Sequence, residues 1–267
     1  MAKIDSVSPE EHEAYERLFP ALVHREQFAG NIFGYWASQL PLDRELDRLR
    51  FKLQKSAYDE VRHKDICERM VQRYSREEGV EEMYAHWDPY DNWMTKMTKV
   101  FTEGMEDHIE FLCTIPLAGD RAGLYTFQSF AECSSDPLWT DAAESIVEDE
   151  KLHSSLPDEF LPIAIERHGD EAIEKIERAL ETWLPAVLGI QGHPTLDAES
   201  RQYLIDRGII DVTIDDVYDQ MMEEVHKVMD PLGVEVPDLD EDDYIRSRDV
   251  LDYCMDRYVD RIVRGEV

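Results

Sequence analysis

Two Glu-x-x-His pairs, Glu60 with His63 and Glu150 with His153, carry the residue types and spacing in this chain that can hold a metal ion. Residues three apart on a helix share a face, so each pair presents a carboxylate and an imidazole to one point in space. Burying an ionised Glu and an imidazole is costly unless something satisfies both, and a divalent cation does. The spacing alone is weak. A third pair, Glu223 with His226, has it too, and nine His in so acidic a chain should yield about one match by chance.

The first two pairs differ from the third in where they fall. Leu46, Leu49, Leu53 and Ser56, then Cys67, Met70 and Tyr74, form one helical stripe, and Glu60 and His63 occupy its gap. The second stripe reads Trp139, Ala143, Ile146, Glu150, His153, Leu156. Each pair also has a carboxylate one helical hairpin upstream. On the stripe Leu22, Glu26, Ala29, Phe33, Trp36, Glu26 lies 16 residues before Leu42, and Glu60 lies 18 after it. Two antiparallel helices turning at Leu40-Pro41-Leu42-Asp43 therefore hold both at nearly equal height. In the second hairpin, which turns at Ser134-Ser135-Asp136-Pro137, Asp120 lies 16 residues before Asp136 and Glu150 lies 14 after it. Glu103, Glu110 and Asp120 share a stripe, but Glu110 would sit about 15 Å further along the helix. Asp120 is the preferred ligand and Glu110 the reserve, because a kink at Pro116 can upset the count. The third pair has Gly189 at the equivalent distance and reads as a surface coincidence.

The elements that must position these residues are helical throughout. Core helices are expected at about 20–39, 43–78, 93–133 and 137–155. Ser8-Pro9-Glu10-Glu11 starts a helix that Pro20 restarts, and the aromatic stretch Met83 to Asp91 is a loop or short helices over one end. Further helices at Glu159–His168 and Glu171–Leu188 lead to a Gly/Pro interruption at 189–194 and an acidic helical C-terminal portion. No alternation long enough for a sheet occurs. The expected fold is all-α: a ferritin-like four-helix bundle over 1–168, with a helical extension, 169–267, packed on it. Glu26, Glu60, His63, Asp120, Glu150 and His153 then form the four-carboxylate, two-imidazole set that holds two irons and reduces dioxygen. Asp59 and Asp149 point elsewhere and are outer supports or surface residues. The plainer alternative is a buried Glu/His network with no metal.

Composition narrows the partners. The formal charge of −32, from 60 acidic and 28 basic side chains, leaves no basic footprint for nucleic acid and resembles a protein adapted to a salt-rich cytosol. Four cysteines without a Cys-x-x-Cys pair read as reduced thiols in a cytoplasmic protein. The absence of an apolar run near twenty residues argues against a membrane span. Arg44, Arg48, Lys52 and Lys55, along one face of the second helix, are candidates to meet substrate phosphates, with a solvated or subunit-facing stripe as the plainer account.

With these residues placed, the chain resembles the catalytic subunits of the phenylacetyl-CoA 1,2-epoxidase family, the ferritin-like di-iron oxygenases of phenylacetate catabolism. The resemblance runs from about residue 20 into the C-terminal segment. It rests on His24-Arg25-Glu26, Asp59-Glu60-Val61-Arg62-His63, Asp120-Arg121-Ala122-Gly123 with Gln128, and Glu150-Lys151-Leu152-His153. Outside the metal motifs it rests on Trp183-Leu184-Pro185-Ala186 and on the stretch from Pro231 to Asp238, while the insert between His63 and Asp120 departs from the pattern. The resemblance implies a monooxygenase that epoxidises the ring of an aryl-CoA thioester. It also implies electrons from a flavin/iron–sulfur reductase or ferredoxin, and a paralogous structural subunit in an oligomer. The alternatives are a non-catalytic subunit of such a complex and a ferritin-like oxygenase with another substrate.

Overall fold

The computed structural model describes residues 7–75, 88–191, 198–239 and 249–265, and among these the chain is all-α, with no strand. Helix α1, Pro9–Gln39, begins where Ser8 accepts the Glu11 N–H at 3.0 Å, with Pro9 in its first turn. It runs unbroken through Pro20, where a restart was expected. Proline keeps a helical φ and removes one N–H. Here the ring is buried, and the long packing of α1 on α2, Asp47–Tyr74, keeps the helix continuous through it. The two helices approach closely because Gly30 has no side chain: a Cβ there would stand 3.2 Å from the Glu60 Cβ. Helix α2 begins a turn later than its expected start at 43, because the Asp43 side chain and carbonyl accept the N–H groups of Glu45 and Leu46 in a separate turn. Its expected end, 76–78, and most of the aromatic stretch, 83–87, lie outside the described residues.

The single helix expected over 93–133 is divided. Helix α3, Asp88–Glu103, stops at Gly104, where a Cβ would meet the Val100 carbonyl at 2.5 Å. Asp107 then caps a short α4, His108–Leu112, by accepting from Ile109 and Glu110. Pro116 lies in a π-helical turn, Ile115–Gly119, which feeds directly into α5, Asp120–Cys133. These breaks dismantle the stripe that put Glu103, Glu110 and Asp120 on one face. Glu103 meets Tyr258 at the surface, while Glu110 is buried and accepts from Arg261 Nη1 at 2.8 Å and from Trp183 Nε1 at 2.6 Å. Glu110 is thus no reserve ligand but half of a buried ion pair. Removing Arg261 would strand that carboxylate, so Arg261→Ala should cost about 3–5 kcal/mol in urea unfolding. A loss below about 1 kcal/mol would mean that solvent reaches the pair.

Helix α6, Pro137–His153, starts on Asp136, which accepts the Leu138 N–H at 3.1 Å and also takes Tyr74 Oη at 2.7 Å and Arg73 Nε at 3.0 Å. One capping carboxylate therefore ties the end of α2 to the start of α6. Beyond α6 come α7, Leu156–His168, α8, Asp170–Gln191, α9, Ala198–Ile205, α10, Ile214–Met229, a 3₁₀ turn, Asp230–Leu232, and α11, Val250–Arg264. Helix α8 contains Pro185, as expected, and runs on through Gly189 to Gln191, into the interruption expected at 189–194, of which 192–194 lie outside the described residues. One cluster of buried side chains, from Phe28 and Trp36 to Trp183, Met221 and Cys254, spans both sides of residue 168, so the C-terminal helices close the core over α4, the π turn and α5. Among the described residues no helix is long and apolar enough to cross a membrane.

Candidate metal centre

The α1–α2 and α5–α6 hairpins bring all six expected ligands into one buried place. Glu26, Glu60, His63 and Glu150 each offer an atom within 4.8 Å of the others, and Asp120, Glu150 and His153 do the same. Every one of the six is at most 6 % exposed. His63 Nδ1 lies 3.3 Å from Glu26 Oε2, 3.6 Å from Glu60 Oε2 and 3.6 Å from Glu150 Oε1. His153 Nδ1 lies 2.9 Å from Glu60 Oε1 and 3.5 Å from Glu150 Oε2. Glu60 and Glu150 therefore stand between the two imidazoles, whose ring centroids are 6.1 Å apart.

The other ring nitrogens explain the orientation. His63 Nε2 is 3.1 Å from Asp149 Oδ2 and His153 Nε2 is 3.4 Å from Asp59 Oδ2. Each Asp thus serves the imidazole of the opposite helix, and Arg62 and Lys55 neutralise Asp149 and Asp59 in turn. A carboxylate on Nε2 favours the proton there and leaves the Nδ1 lone pair facing the carboxylates. Asp120 Oδ2 is buried with no hydrogen-bond partner, and both Nδ1 atoms face carboxylate oxygens at 2.9 to 3.6 Å off the usual hydrogen-bond geometry. Buried acceptors converging on acidic oxygens fit a cation, which would satisfy all of them at once. Asp59 and Asp149 are therefore outer supports, one of the two roles the sequence offers them. The signal for their role was the exact repetition of Asp-Glu-x-x-His on α2 and α6. Asp149→Ala should weaken cobalt binding about 10–100-fold in competition with a chromophoric chelator; an unchanged affinity would mean that His63 needs no orienting partner.

Burial and neighbouring charges raise the proton affinity of several of these side chains. Burial, reinforced by the Glu60 charge, pushes Glu26 up to about 8. Asp120 is raised by burial and by the Glu150 charge. Burial acts to lower His63, but Glu26 and Glu60 outweigh it and carry the imidazole up to about 10. Burial works against the Glu60 anion as well, yet His153 and His63 hold it below the ordinary carboxylate range. Phe33 packs on His153 with ring centroids 5.4 Å apart, and a second apolar cluster with Trp139 and Ile146 seals the other end.

A cavity of about 70 Å³ opens on the carboxylate side of the site, away from the Asp–His pairs. Glu26, Glu60, Asp120 and Glu150 form its polar floor, and Leu22, Phe28, Met94, Ile115 and Phe127 are among its walls. The cation on its lining is Arg25. Arg44, Arg48, Lys52 and Lys55 do not line it: Arg48 and Lys52 pair with Glu159, Lys55 with Asp59, and Arg44 is exposed. Three of the four are thus paired with acids of the fold. Glu223 and His226 are exposed, as expected of a chance match. No family model matches the chain, and no curated protein matches it.

Proposed function

We propose that this chain is the oxygen-activating subunit of a di-iron monooxygenase, built on a ferritin-like four-helix bundle and acting on an aryl-CoA or similar acyl-CoA thioester. One observation carries the reading: two buried imidazole Nδ1 atoms and an unpartnered Asp120 oxygen converge on three further buried glutamates. Glu26, Glu60, His63, Asp120, Glu150 and His153 would hold two irons, and the four carboxylates suit hard cations that cycle between ferrous and ferric states. When bound, such a pair supplies the electrons that reduce dioxygen.

The chain's own residues do the rest. Asp59 and Asp149 keep the Nε2 protons in place and so fix which nitrogen faces inward. Phe28, Phe127 and Ile115 exclude water on the cavity side, and Phe33 does so against His153. The cavity admits an apolar group to the carboxylate floor, opposite the histidines. Support for the thioester and for a reductase and structural subunit as partners comes from the resemblance in the metal motifs, Trp183–Ala186 and Pro231–Asp238.

The cavity volume favours a second reading at the level of substrate. At about 70 Å³ it is well below the roughly 150 Å³ that takes up benzene in an apolar protein interior. A slender acyl chain fits with less movement than a ring, which would have to displace the flexible Met94 side chain. The test is anaerobic reconstitution with iron, chemical reduction, and exposure to ¹⁸O₂ with phenylacetyl-CoA, benzoyl-CoA and hexanoyl-CoA. Label in phenylacetyl-CoA supports the aryl reading, and label in hexanoyl-CoA alone replaces it with the slender-chain reading. No label in any thioester, from protein carrying two irons, would refute both.

A further inference from the structure

We propose that Gly123 determines which substrates this site accepts, by keeping open the cavity wall beside Glu150 so that a flat or slender apolar group can reach the carboxylate floor. The proposal rests on the oxygenase reading. It begins from a glycine that has no structural reason to be one. Gly123 lies inside α5, where glycine is less favourable than alanine. Its φ is not positive; the glycines that need that freedom are Gly169, Gly208, Gly233 and Gly265. Nor does close packing demand it. A Cβ at Gly30 would meet Glu60 Cβ at 3.2 Å and one at Gly104 would meet a carbonyl at 2.5 Å, whereas a Cβ at Gly123 would find only Glu150 Oε2, 4.0 Å away. What remains is the space itself.

That space is the cavity. Gly123 lines it one turn from Gly119 and Phe127, which line it too, with Asp120 between. Helical side chains lean toward the helix N-terminus, so anything larger at 123 would lie over Gly119 and Asp120, across the floor of the cavity. Phe28 and Ala29 of α1 form the facing wall. The group admitted is therefore apolar along its sides and meets oxygen ligands only at its tip. In a cavity of about 70 Å³ one added methyl removes a meaningful share of the room.

Gly123→Ala and Gly123→Leu test this, with thermal unfolding, cobalt titration, and calorimetric binding of phenylacetyl-CoA and hexanoyl-CoA to the metal-free and cobalt-loaded chain. Azide, a small anion that ligates the metal, reports through the cobalt absorption bands. Gly123→Ala should raise Tm by about 2 °C while weakening phenylacetyl-CoA binding about tenfold. Gly123→Leu should abolish binding of the ring thioester and leave the azide response in place. Should Gly123→Leu lose metal by crowding Asp120, the alanine variant decides alone. Ring-thioester affinity unchanged in Gly123→Ala, with Tm raised, would overturn the proposal. Failure of the wild type to bind cobalt would refute the metal reading instead, and the size claim would then stand or fall on thioester affinities of the metal-free chains.

Discussion

Glu150→Ala should abolish binding of both metal ions, whereas Glu26→Ala should cost at most one. Glu150 belongs to both clusters of ligand atoms and lies 3.6 Å from one Nδ1 and 3.5 Å from the other, while Glu26 belongs to one cluster. Glu150 faces both imidazoles, whose ring centroids are 6.1 Å apart, so its loss would take a donor from each cation held there. The effect should exceed by far the roughly 10–100-fold expected of removing an outer support such as Asp149. Equilibrium dialysis against cobalt gives the stoichiometry. Retention of one full equivalent by Glu150→Ala would mean that the two cations do not share it. Thermal unfolding of the metal-free variant is followed alongside, because Glu150 faces both imidazoles and its loss also removes a counter-charge from them.

The second large effect is on stability against pH, and its sign follows from the proton inventory. Glu26 is raised from 4.5 to about 8. Between those values the folded chain keeps a proton that the unfolded chain has released, and stability falls as pH rises. His63 is raised from 6.5 to about 10; its contribution is complete below the lower value and is lost as pH passes the upper one. Asp120 and His153 are displaced in the same direction. Glu60 and Asp59 are held low, so what they contribute is lost only in acid, outside this window. The metal-free protein should therefore lose on the order of a few kcal/mol between about pH 5 and pH 10, since each tenfold change in proton affinity is worth about 1.4 kcal/mol. Saturating cobalt replaces those protons, so it should flatten the loss and release protons on binding. Tm series in molar salt, which screens the general acidic repulsion, make the comparison. A metal-free Tm that rises across this range would contradict the assignment of buried, proton-holding ligands.

Much of the site could be read from the sequence because helices convert counting into height. Glu26 and Glu60 balance about Leu42, and Asp120 and Glu150 balance about Asp136. Both pairs meet in the structure. Asp120 survived a π turn and a break at Gly104 because these lie on its N-terminal side, leaving the count from Asp136 undisturbed. The same breaks removed Glu110, for which the stripe was a misleading guide. Its partner Arg261 lies far along the chain and carries no periodic signal of its own. The partner of Arg48 and Lys52 is equally invisible to a reading of α2 alone, because Glu159 lies on a different helix. Pro20 was overread, since one missing N–H is a small defect in a helix buried along most of its length.

The most direct test of the central claim is iron content with Mössbauer spectroscopy on protein reconstituted anaerobically and then exposed to air. The six converging side chains predict two irons per chain in a spin-coupled ferric pair. A single uncoupled ferric ion, or none, would contradict a shared two-metal site and the oxidative chemistry built on it.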